Sequence, residues 1–246
     1  MTAPVFVAEP DALAGDVPQV RLEGSEGRHA AVVRRLRPGE PVVLTDGRGT
    51  SAECVVLESS RSGLVCEVRR RRTIPAPRPR LVVVQALPKG ERAELAVQML
   101  TEVGADVIVP WAAARCVVQW RGERAAKALA KWRAHAREAG KQARRSWLPD
   151  VRELAGTDDV AALLGRCTLS VVLHEQAERP LTSLPVPDDG DIAVVVGPEG
   201  GLTDEEVARF DAAGATAVRL GSSVLRTSTA GVAAASALLS RTPRWS

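Results

Sequence analysis

The sequence predicts an α/β protein in which a small β-rich domain precedes a larger domain built on a parallel sheet. In residues 1–72, short stretches alternate apolar and polar residues between Gly, Asp and Ser clusters, as half-buried strands do. Beyond residue 80, runs of Val, Ile and Leu alternate with helical periodicities. That second pattern is typical of a parallel sheet covered by helices on both faces.

In the N-terminal region the alternation is clearest in PVVLTDGRGTSAECVVLE (41–58) and GLVCEVRR (63–70). The stretch Arg69–Arg80, RRRRTIPAPRPR, joins a run of arginines to several prolines. Proline has a fixed φ and no N–H donor, so we expect this stretch to continue neither a strand ladder nor a helix. The predicted domains are therefore 1–72 and 81–246, joined by a linker at 73–80.

The larger domain is predicted to contain strands and helices in alternation. The strands are LVVVQAL (81–87), DVIVPW (106–111), LSVVLHE (169–175), DIAVVVG (191–197) and ATAVRLG (215–221), and the helices are ERAELAVQMLTEVG (91–104), DEEVARFDAAG (204–214) and AGVAAASALLS (230–240). The last helix consists almost wholly of small residues. It can therefore pack closely against a neighbouring helix in the core or in a dimer.

The net charge is only +3, but it is unevenly distributed. Residues 115–152 carry eleven basic and three acidic residues, a net of +8, whereas residues 153–246 carry a net of −6. At 100° per residue, Arg121–Arg145 forms an amphipathic helix with Ala, Leu and Trp on one side and cations on the other. Such a face is usually solvated, but an excess of this size is equally typical of RNA or DNA contact.

Several classes of protein are disfavoured by composition. The four cysteines form no CxxC pair, which argues against zinc and dithiol redox sites. The sequence has no apolar run of the ~18 residues that span a bilayer and no signal-peptide pattern at its start, so a cytoplasmic location is expected. With three histidines and no tyrosine, catalysis would depend on positioning more than on acid–base side chains.

The strongest local motif is a buried strand, Val194–Val196, followed by the turn Gly197-Pro198-Glu199-Gly200-Gly201 and a helix. Thr203 and Glu206 have the spacing of a capping box at the start of that helix. The glycines permit close backbone approach to a ligand or a positive φ, although a tight strand–helix connection would also use them. The spacing matches neither the Rossmann fingerprint nor the P-loop.

Two further loops follow predicted strands. In the loop from Leu220 to Ala230, Arg226 lies between apolar Leu225 and a cluster of hydroxyls, so it could form a salt bridge or stabilise charge on a substrate. His174 and Glu175 end another strand. Adjacent strand residues point to opposite faces, which argues against an acid–base pair or half of a metal site, but ligands bind at the carboxyl ends of strands in open α/β sheets.

Taken together, GPEGGLTDEE (197–206) and RLGSSVLRTSTA (219–230) resemble the RsmE-type 16S rRNA (uracil-N3) methyltransferases of the SPOUT superfamily. Residues 29–40 and 45–49 are similar to that family's PUA-like RNA-binding domain, and residues 87–92, Gln98, 101–104 and 114–117 to the start of its catalytic domain. Two departures stand out. The family commonly has Glu where this chain has Ser228, and its EQSGR element reads KQARR at 141–145.

The resemblance implies a SPOUT domain with a deep trefoil knot, S-adenosylmethionine as cofactor, a homodimer, and 16S rRNA or the small ribosomal subunit as partner. Arg226 would be catalytic, stabilising the charge left on the uracil oxygens when the N3 proton is lost. No general base and no metal ligand are assigned. The implied cofactor residues are Leu173, His174, Glu175, Val196, Gly197, Pro198, Glu199, Gly200, Gly201, Leu220, Gly221, Ser223, Val224 and Leu225. The implied RNA-binding residues are Arg34, Arg35, Lys89, Arg115, Arg133, Arg137, Lys141, Gln142, Arg144 and Arg145.

Two other functions remain open at this point. The first is ribose 2′-O-methylation by a related SPOUT protein. That group carries a Ser-Leu-Asn run near its end, whereas this chain reads Leu225-Arg226-Thr227-Ser228. The second is a non-catalytic RNA-binding assembly factor, although such a protein would have no need of intact cofactor loops.

Overall fold

The computed structural model describes residues 3–245, so the first two residues and the last residue of the predicted domains lie outside it. The chain divides into two compact units. The first extends to Ala76 and also contains Gly140–Leu148, and the second contains Pro77–Ala139 and the chain from Pro149 onward. Residues 140–148, which the sequence pattern placed in the second domain, thus belong to the first unit.

The first unit is a five-stranded sheet, as the alternating pattern predicts. Its strands are β1 (Val5–Val7), β2 (Gln19–Leu22), β3 (Pro41–Thr45), β4 (Thr50–Ser60) and β5 (Gly63–Thr73), and α1 (Gly24–Arg28) precedes a wider helical turn at His29–Val33. The order across the sheet is β1-β3-β4-β5-β2, with β1 and β3 parallel and the other neighbours antiparallel. Phe6, Leu22, Leu44, Val56 and Leu64 are among its core residues.

The expectation that the arginine run ends the strand ladder is wrong. Arg70, Arg71 and Arg72 pair with β4 as part of β5, which ends only at Thr73. Arginine keeps its backbone N–H, so a strand can continue through it, and the prolines that break the ladder begin two residues after Thr73. The guanidinium of Arg71 donates to the carbonyl oxygens of Leu13, Gly15 and Val17, which holds a neighbouring loop.

Residues 146–148 add an edge to this unit beside the loop between β3 and β4. Gly49 has a φ of +103°, and a Cβ there would lie 2.7 Å from Nε1 of Trp147. Gly49 N donates to the Ser146 carbonyl at 2.8 Å, and Leu148 N donates to the Gly47 carbonyl at 2.9 Å. The glycines of the TDGRG motif are therefore explained by a chain segment that packs against them.

The second unit is a six-stranded sheet in which every neighbouring pair is parallel, as predicted. Its elements in chain order are β6 (Arg80–Ala86), α2 (Arg92–Val103), β7 (Val107–Trp111), α3 (Gly122–Gln142, whose last three residues belong to the first unit), β8 (Asp150–Val151), α4 (Thr157–Leu164), β9 (Leu169–Leu173), β10 (Asp191–Val196), α5 (Asp204–Ala212), β11 (Thr216–Val218) and α6 (Thr227–Leu239). The order across the sheet is β11-β9-β10-β6-β7-β8. The short β8 and α4 had no prediction from the sequence.

Alternate residues of the central strands face two separate cores. Val83 and Val194 pack with side chains of α2, α3 and α6 on one face, while Val84 and Val195 pack with α4 and α5 on the other. This alternation is why the central strands are apolar at most positions on both faces. Because all strands run the same way, the loops after β9, β10 and β11 meet at one edge of the sheet.

Among residues 3–245, no helix combines the length and the apolar character that crossing a membrane requires.

Candidate functional site

A cavity of about 490 Å³ lies where the loops after β9, β10 and β11 meet. This volume is within the ~300–1,000 Å³ typical of small-molecule sites. The lining residues are Leu173, His174 and Glu175 after β9, Val196, Gly197, Pro198, Glu199, Gly201 and Leu202 after β10, the contiguous residues 219–227 after β11, and Arg92 and Ala230 from the starts of α2 and α6.

The cavity brings together the residues that the three sequence motifs singled out. Every implied cofactor residue lines it except Gly200, and Arg226 lines it as well. Sequence reasoning missed Arg92, Leu202, Arg219, Ser222, Thr227 and Ala230. Five of these lie in the two motifs of the predicted cofactor loops, and Arg92 ends the 87–92 motif about 100 residues earlier, so all six could have been included.

Gly200 is required for packing against another loop. A Cβ at this position would lie 3.1 Å from Cβ of Arg115 and 3.2 Å from its carbonyl oxygen, tighter than ordinary contact. Gly201 has a φ of +73° and donates its N–H to the Pro198 carbonyl at 3.0 Å, which closes the turn. Glycine is therefore needed at position 200 because of the close approach of Arg115, and at position 201 because of the positive φ.

The loop after β7 and the glycine turn hold each other in place. Arg115 donates from Nη1 to the carbonyl oxygens of Gly200 at 3.2 Å and Leu202 at 3.0 Å. In return, the buried carboxylate of Glu206 accepts from Ala114 N at 2.8 Å and from Thr203 N at 2.9 Å. The predicted capping box at Thr203 and Glu206 is confirmed, and it also secures the neighbouring loop.

Glu199 connects the same turn to the start of α2. Its Oε1 accepts the backbone N–H of Lys89 at 3.2 Å and lies 3.6 Å from Nη1 of Arg92. Both side chains of the ion pair are partly exposed, so the pair contributes little to stability. Its position matters more, because Glu199 and Arg92 both line the cavity.

Arg226 is the residue before the first turn of α6. Its carbonyl oxygen accepts the N–H groups of Thr229 and Ala230, each at 2.9 Å, so the backbone of Arg226 is fixed by the helix. Its exposed guanidinium makes no hydrogen bond or ion pair with any side chain or backbone group of residues 3–245. Of the two roles that the sequence left open, this arrangement favours an interaction with substrate.

His174 presents a defined hydrogen-bond donor to its surroundings. Its Nδ1 accepts the N–H of Gln176 at 3.2 Å, so in the neutral imidazole the proton is on Nε2.

Ser228 is 4% exposed in the first turn of α6 and is not among the residues that line the cavity. Within residues 3–245, no three His, Cys, Asp or Glu side chains are grouped so that they could hold a metal ion.

The implied RNA-binding residues fall in both units. In the second unit, Lys89 and Arg137 are exposed, while Arg133 is held by the Val151 carbonyl at 3.0 Å and by Glu153 at 2.9 Å. In the first unit, Arg34, Arg35, Gln142 and Arg144 are exposed and Arg145 is half-buried. Arg144 also donates to the Ala3 carbonyl at 3.3 Å.

Two of these expectations need correction. Lys141 is only 5% exposed, and its Nζ lies 3.0 Å from Oε1 of Glu26 and 5.6 Å from the centre of the Phe6 ring. This buried ammonium is part of the first unit's interior and is not presented to a partner. Arg115 is exposed, but its guanidinium is already engaged with the glycine turn, so its first role is to hold the loops of the cavity.

Comparisons with known proteins agree with this arrangement. Residues 75–239 match the family model for an RNA methyltransferase domain, and residues 22–69 match that for an RNA methyltransferase PUA domain. Ribosomal RNA small subunit methyltransferase E of Mycobacterium bovis is 47% identical over 91% of this chain and 87% of its own length. The Bacillus subtilis protein of the same name is 29% identical over 91% of this chain and 90% of its own length.

A solved structure extends the comparison. Ribosomal RNA small subunit methyltransferase E from Neisseria gonorrhoeae, bound to S-adenosyl methionine, superimposes with a TM-score of 0.85 at 27% identity, covering 97% of this chain and 98% of that one. The resemblance seen in the motifs, the SPOUT fold class and the assignment as an enzyme are confirmed. The chain belongs to the ribosomal RNA small subunit methyltransferase E family.

Proposed function

We propose that this protein transfers a methyl group from S-adenosylmethionine to N3 of a uridine in the 16S rRNA of the small ribosomal subunit. One observation carries the proposal: Arg226, whose guanidinium has no partner among residues 3–245, lines the same cavity as the glycine turn and the loop after β9. A cofactor pocket alone would suit any methyltransferase. A free cation beside it suits a reaction that places negative charge on the base.

The residues that line the cavity fit S-adenosylmethionine. Leu173, Val196 and Leu220 provide apolar surface for a nucleoside, and His174 offers a donor from Nε2. Glu175 and Glu199 supply carboxylates for the positive groups of the methionine end, and arginines stand near for its carboxylate. When bound, S-adenosylmethionine supplies an electrophilic methyl group.

The chain's own contribution to the chemistry would come from Arg226. Uridine N3 becomes nucleophilic only when it loses its proton, and the charge then spreads onto the two flanking carbonyl oxygens. A guanidinium fixed at the start of α6 stabilises that charge in the transition state more than in the neutral base. Such preorganised donors typically contribute ~10²–10³-fold in rate.

RNA binding is proposed to use both units. The exposed residues Arg34, Arg35, Lys89, Arg137 and Gln142 are available for phosphate and sugar contacts. Arg133 and Arg144 are also exposed, but each would contact RNA while keeping or exchanging the hydrogen bonds that it makes within the chain. The half-buried Arg145 stays a weaker candidate. Each phosphate that is neutralised releases condensed counterions, so binding should weaken steeply as the salt concentration rises.

A homodimer and a cytoplasmic location complete the proposal. On α6, the small residues Ala230, Val232, Ala233, Ser236 and Ala237 are only half-buried, a surface that a second copy could cover closely. Light scattering coupled to size-exclusion chromatography would measure the dimer, and a monomeric mass would contradict it. The location follows from the substrate, because ribosomal subunits are the proposed target.

The direct test is methylation in vitro. Purified protein is incubated with labelled S-adenosylmethionine and either 16S rRNA or small subunits that lack the modification, and the nucleosides are separated by mass spectrometry. We expect 3-methyluridine from the wild type, a loss of ~10²-fold or more with Arg226→Ala, and partial activity with Arg226→Lys. S-Adenosylmethionine binding by calorimetry should persist in both variants. Labelled 2′-O-methyl nucleosides would instead support the ribose methyltransferase, and failure to bind the cofactor would support a non-catalytic assembly factor.

A further inference from the structure

A fully buried amide lies at the carboxyl end of β6, directly beneath the cavity loops. Gln85 has no exposed surface, and it is paired in register with Val196, the last residue of β10. Its Nε2 donates to the Ala86 carbonyl and to Oγ1 of Thr227, each at 3.0 Å. Its Oε1 is buried without a hydrogen-bond partner among residues 3–245.

The geometry fixes the direction of these hydrogen bonds. Oγ1 of Thr227 lies 2.9 Å from the Gly197 carbonyl oxygen, which can only accept, so the single Thr227 hydroxyl proton is committed to Gly197. Gln85 must therefore act as the donor to Thr227, which requires its NH₂ group at that side. The unpaired Oε1 is the consequence of this orientation.

An amide is a poor choice for this position on stability alone. The other residues of β6 from Leu81 to Ala86, and Leu87 after it, are all apolar residues of the core. A buried acceptor without a partner is unfavourable, and an apolar side chain of similar size would avoid it. The amide is therefore retained for what its NH₂ group holds.

The group held by Gln85 links two loops of the site. Gly197 is the first residue of the glycine turn, and Thr227 directly follows Arg226 and begins α6. The line Gln85–Thr227–Gly197 thus connects a central strand to the cofactor turn and to the arginine proposed to stabilise substrate charge. Because Gln85 is fully buried in the central strand, these hydrogen bonds anchor both loops to a rigid part of the sheet.

We propose that Gln85 is a positioning residue for methyl transfer, which through the Thr227 hydroxyl sets the Gly197 carbonyl and the start of α6 relative to each other. This inference rests on the proposed function. Displacements of about 1 Å at a reacting centre can lower rates by ~10²-fold, so a loosened link should reduce kcat. The KM for RNA should stay within about twofold, because the exposed cations are unaffected.

The test compares Gln85→Met and Thr227→Val, which remove the link with little change of shape, with Thr227→Ser, which keeps the hydroxyl. The matched control is Ser170→Ala on β9. It removes a buried hydroxyl that donates to the Leu164 carbonyl at 2.8 Å and that does not line the cavity. Thermal unfolding is measured for all variants, so that activity is compared between folded proteins at one temperature.

We expect kcat to fall about 10-fold or more in Gln85→Met and in Thr227→Val, and Thr227→Ser to keep at least about half of the wild-type value. The kcat of the double variant Gln85→Met, Thr227→Val should be no lower than that of the less active single variant, because both substitutions break the same hydrogen-bonded link. If Gln85→Met does not fold, the kcat of Thr227→Val alone tests the positioning role. Wild-type kcat in Thr227→Val and Gln85→Met, with a wild type that methylates RNA, would overturn the positioning role. An inactive wild type would instead overturn the proposed function.

Discussion

Arg115 donates a hydrogen bond of 3.0 Å from Nη1 to the carbonyl oxygen of Leu202. The same nitrogen reaches the Gly200 carbonyl, so one guanidinium holds the carbonyl oxygens on both sides of Gly201, where the glycine turn ends. The resemblance to the methyltransferase family implied that Arg115 contacts RNA. Its position instead makes the loop after β7 a support for the cofactor turn.

Replacing Arg115 by Ala is therefore expected to weaken S-adenosylmethionine binding. Loss of hydrogen bonds from a charged donor should cost ~1.4 kcal/mol, which corresponds to about a 10-fold rise in Kd. Titration calorimetry without RNA measures this effect. Arg121→Ala, which removes an exposed arginine of the same region, is the control and should leave Kd unchanged. An unchanged Kd in Arg115→Ala, combined with weaker RNA binding, would show that Arg115 acts on RNA after all.

Lys141 and Arg137 should behave differently in RNA binding, although both lie on the cationic face of α3 by sequence. Arg137 is exposed, so Arg137→Ala should reduce the slope of log K against log salt concentration by about 1. Lys141→Met should leave that slope unchanged, because Lys141 is buried beside Glu26. It should instead lower the thermal midpoint, since removing one partner of a buried pair costs ~3–5 kcal/mol. A reduced salt slope in Lys141→Met would show that Lys141 does contact RNA.

Arg244 secures the C-terminal end of the chain to the base of the larger sheet. Its guanidinium donates to Asp106 at 2.6 Å, to the Pro79 carbonyl at 3.0 Å and to the Gly104 carbonyl at 2.9 Å, and both side chains of the pair are about nine-tenths buried. We expect Arg244→Ala to destabilise the protein by ~3 kcal/mol. The exposed pair of Arg209 and Asp158 offers a control, and Arg209→Ala should cost less than ~1 kcal/mol. Equal thermal midpoints for the two variants would contradict this difference.

The thiols of the first unit should be unreactive in the folded protein. Burial raises the pKa of Cys54 from 9.0 to about 12, with a smaller contribution from the neighbouring Cys66, and burial raises the pKa of Cys66 from 9.0 to about 11. At pH 8 their thiolate fraction is therefore lower than in the unfolded chain by about 100-fold or more, and alkylation should slow accordingly. Peptide mapping after iodoacetamide treatment, with and without urea, measures the ratio. Equal labelling rates at Cys54 in the two conditions would contradict it.

The same shift has a consequence for stability at high pH. A raised thiol pKa means that the folded state favours the protonated form. The stability from these groups is therefore complete below the unfolded pKa of about 9 and is lost as the pH rises through about 11 and 12.

Much of the site could be predicted because its signals are local. The runs LSVVL and DIAVVV are apolar at all positions but one, which indicates a parallel sheet, and parallel strands bring the residues after them to one edge. Leu173 to Glu175 and Gly197 to Gly201 can therefore be placed together from the sequence alone. Arg226 stood out between Leu225 and a cluster of hydroxyls, and the resemblance to a known family implied its catalytic role.

The remaining parts depend on contacts between distant segments. Gln85 meets Thr227 across 142 positions, and Arg115 meets Leu202 across 87. A helical projection places Lys141 among exposed cations, because it contains no information about Glu26, which lies 115 positions away. Likewise, the glycines of TDGRG gave no sign that residues 146–148 pack beside them. In each case the role of the residue depends on which distant residue it contacts, and residue type alone does not reveal that contact.

The central claim, N3 methylation of a uridine in 16S rRNA, is tested most directly in cells. Nucleosides of 16S rRNA from a strain lacking this protein are compared by mass spectrometry with those of the parent strain, and of the same strain complemented with the wild type or with Arg226→Ala. We predict that 3-methyluridine is absent from the deletion strain, returns with the wild type and stays absent with Arg226→Ala. Unchanged 3-methyluridine in the deletion strain, or loss of a 2′-O-methyl nucleoside in its place, would contradict the claim.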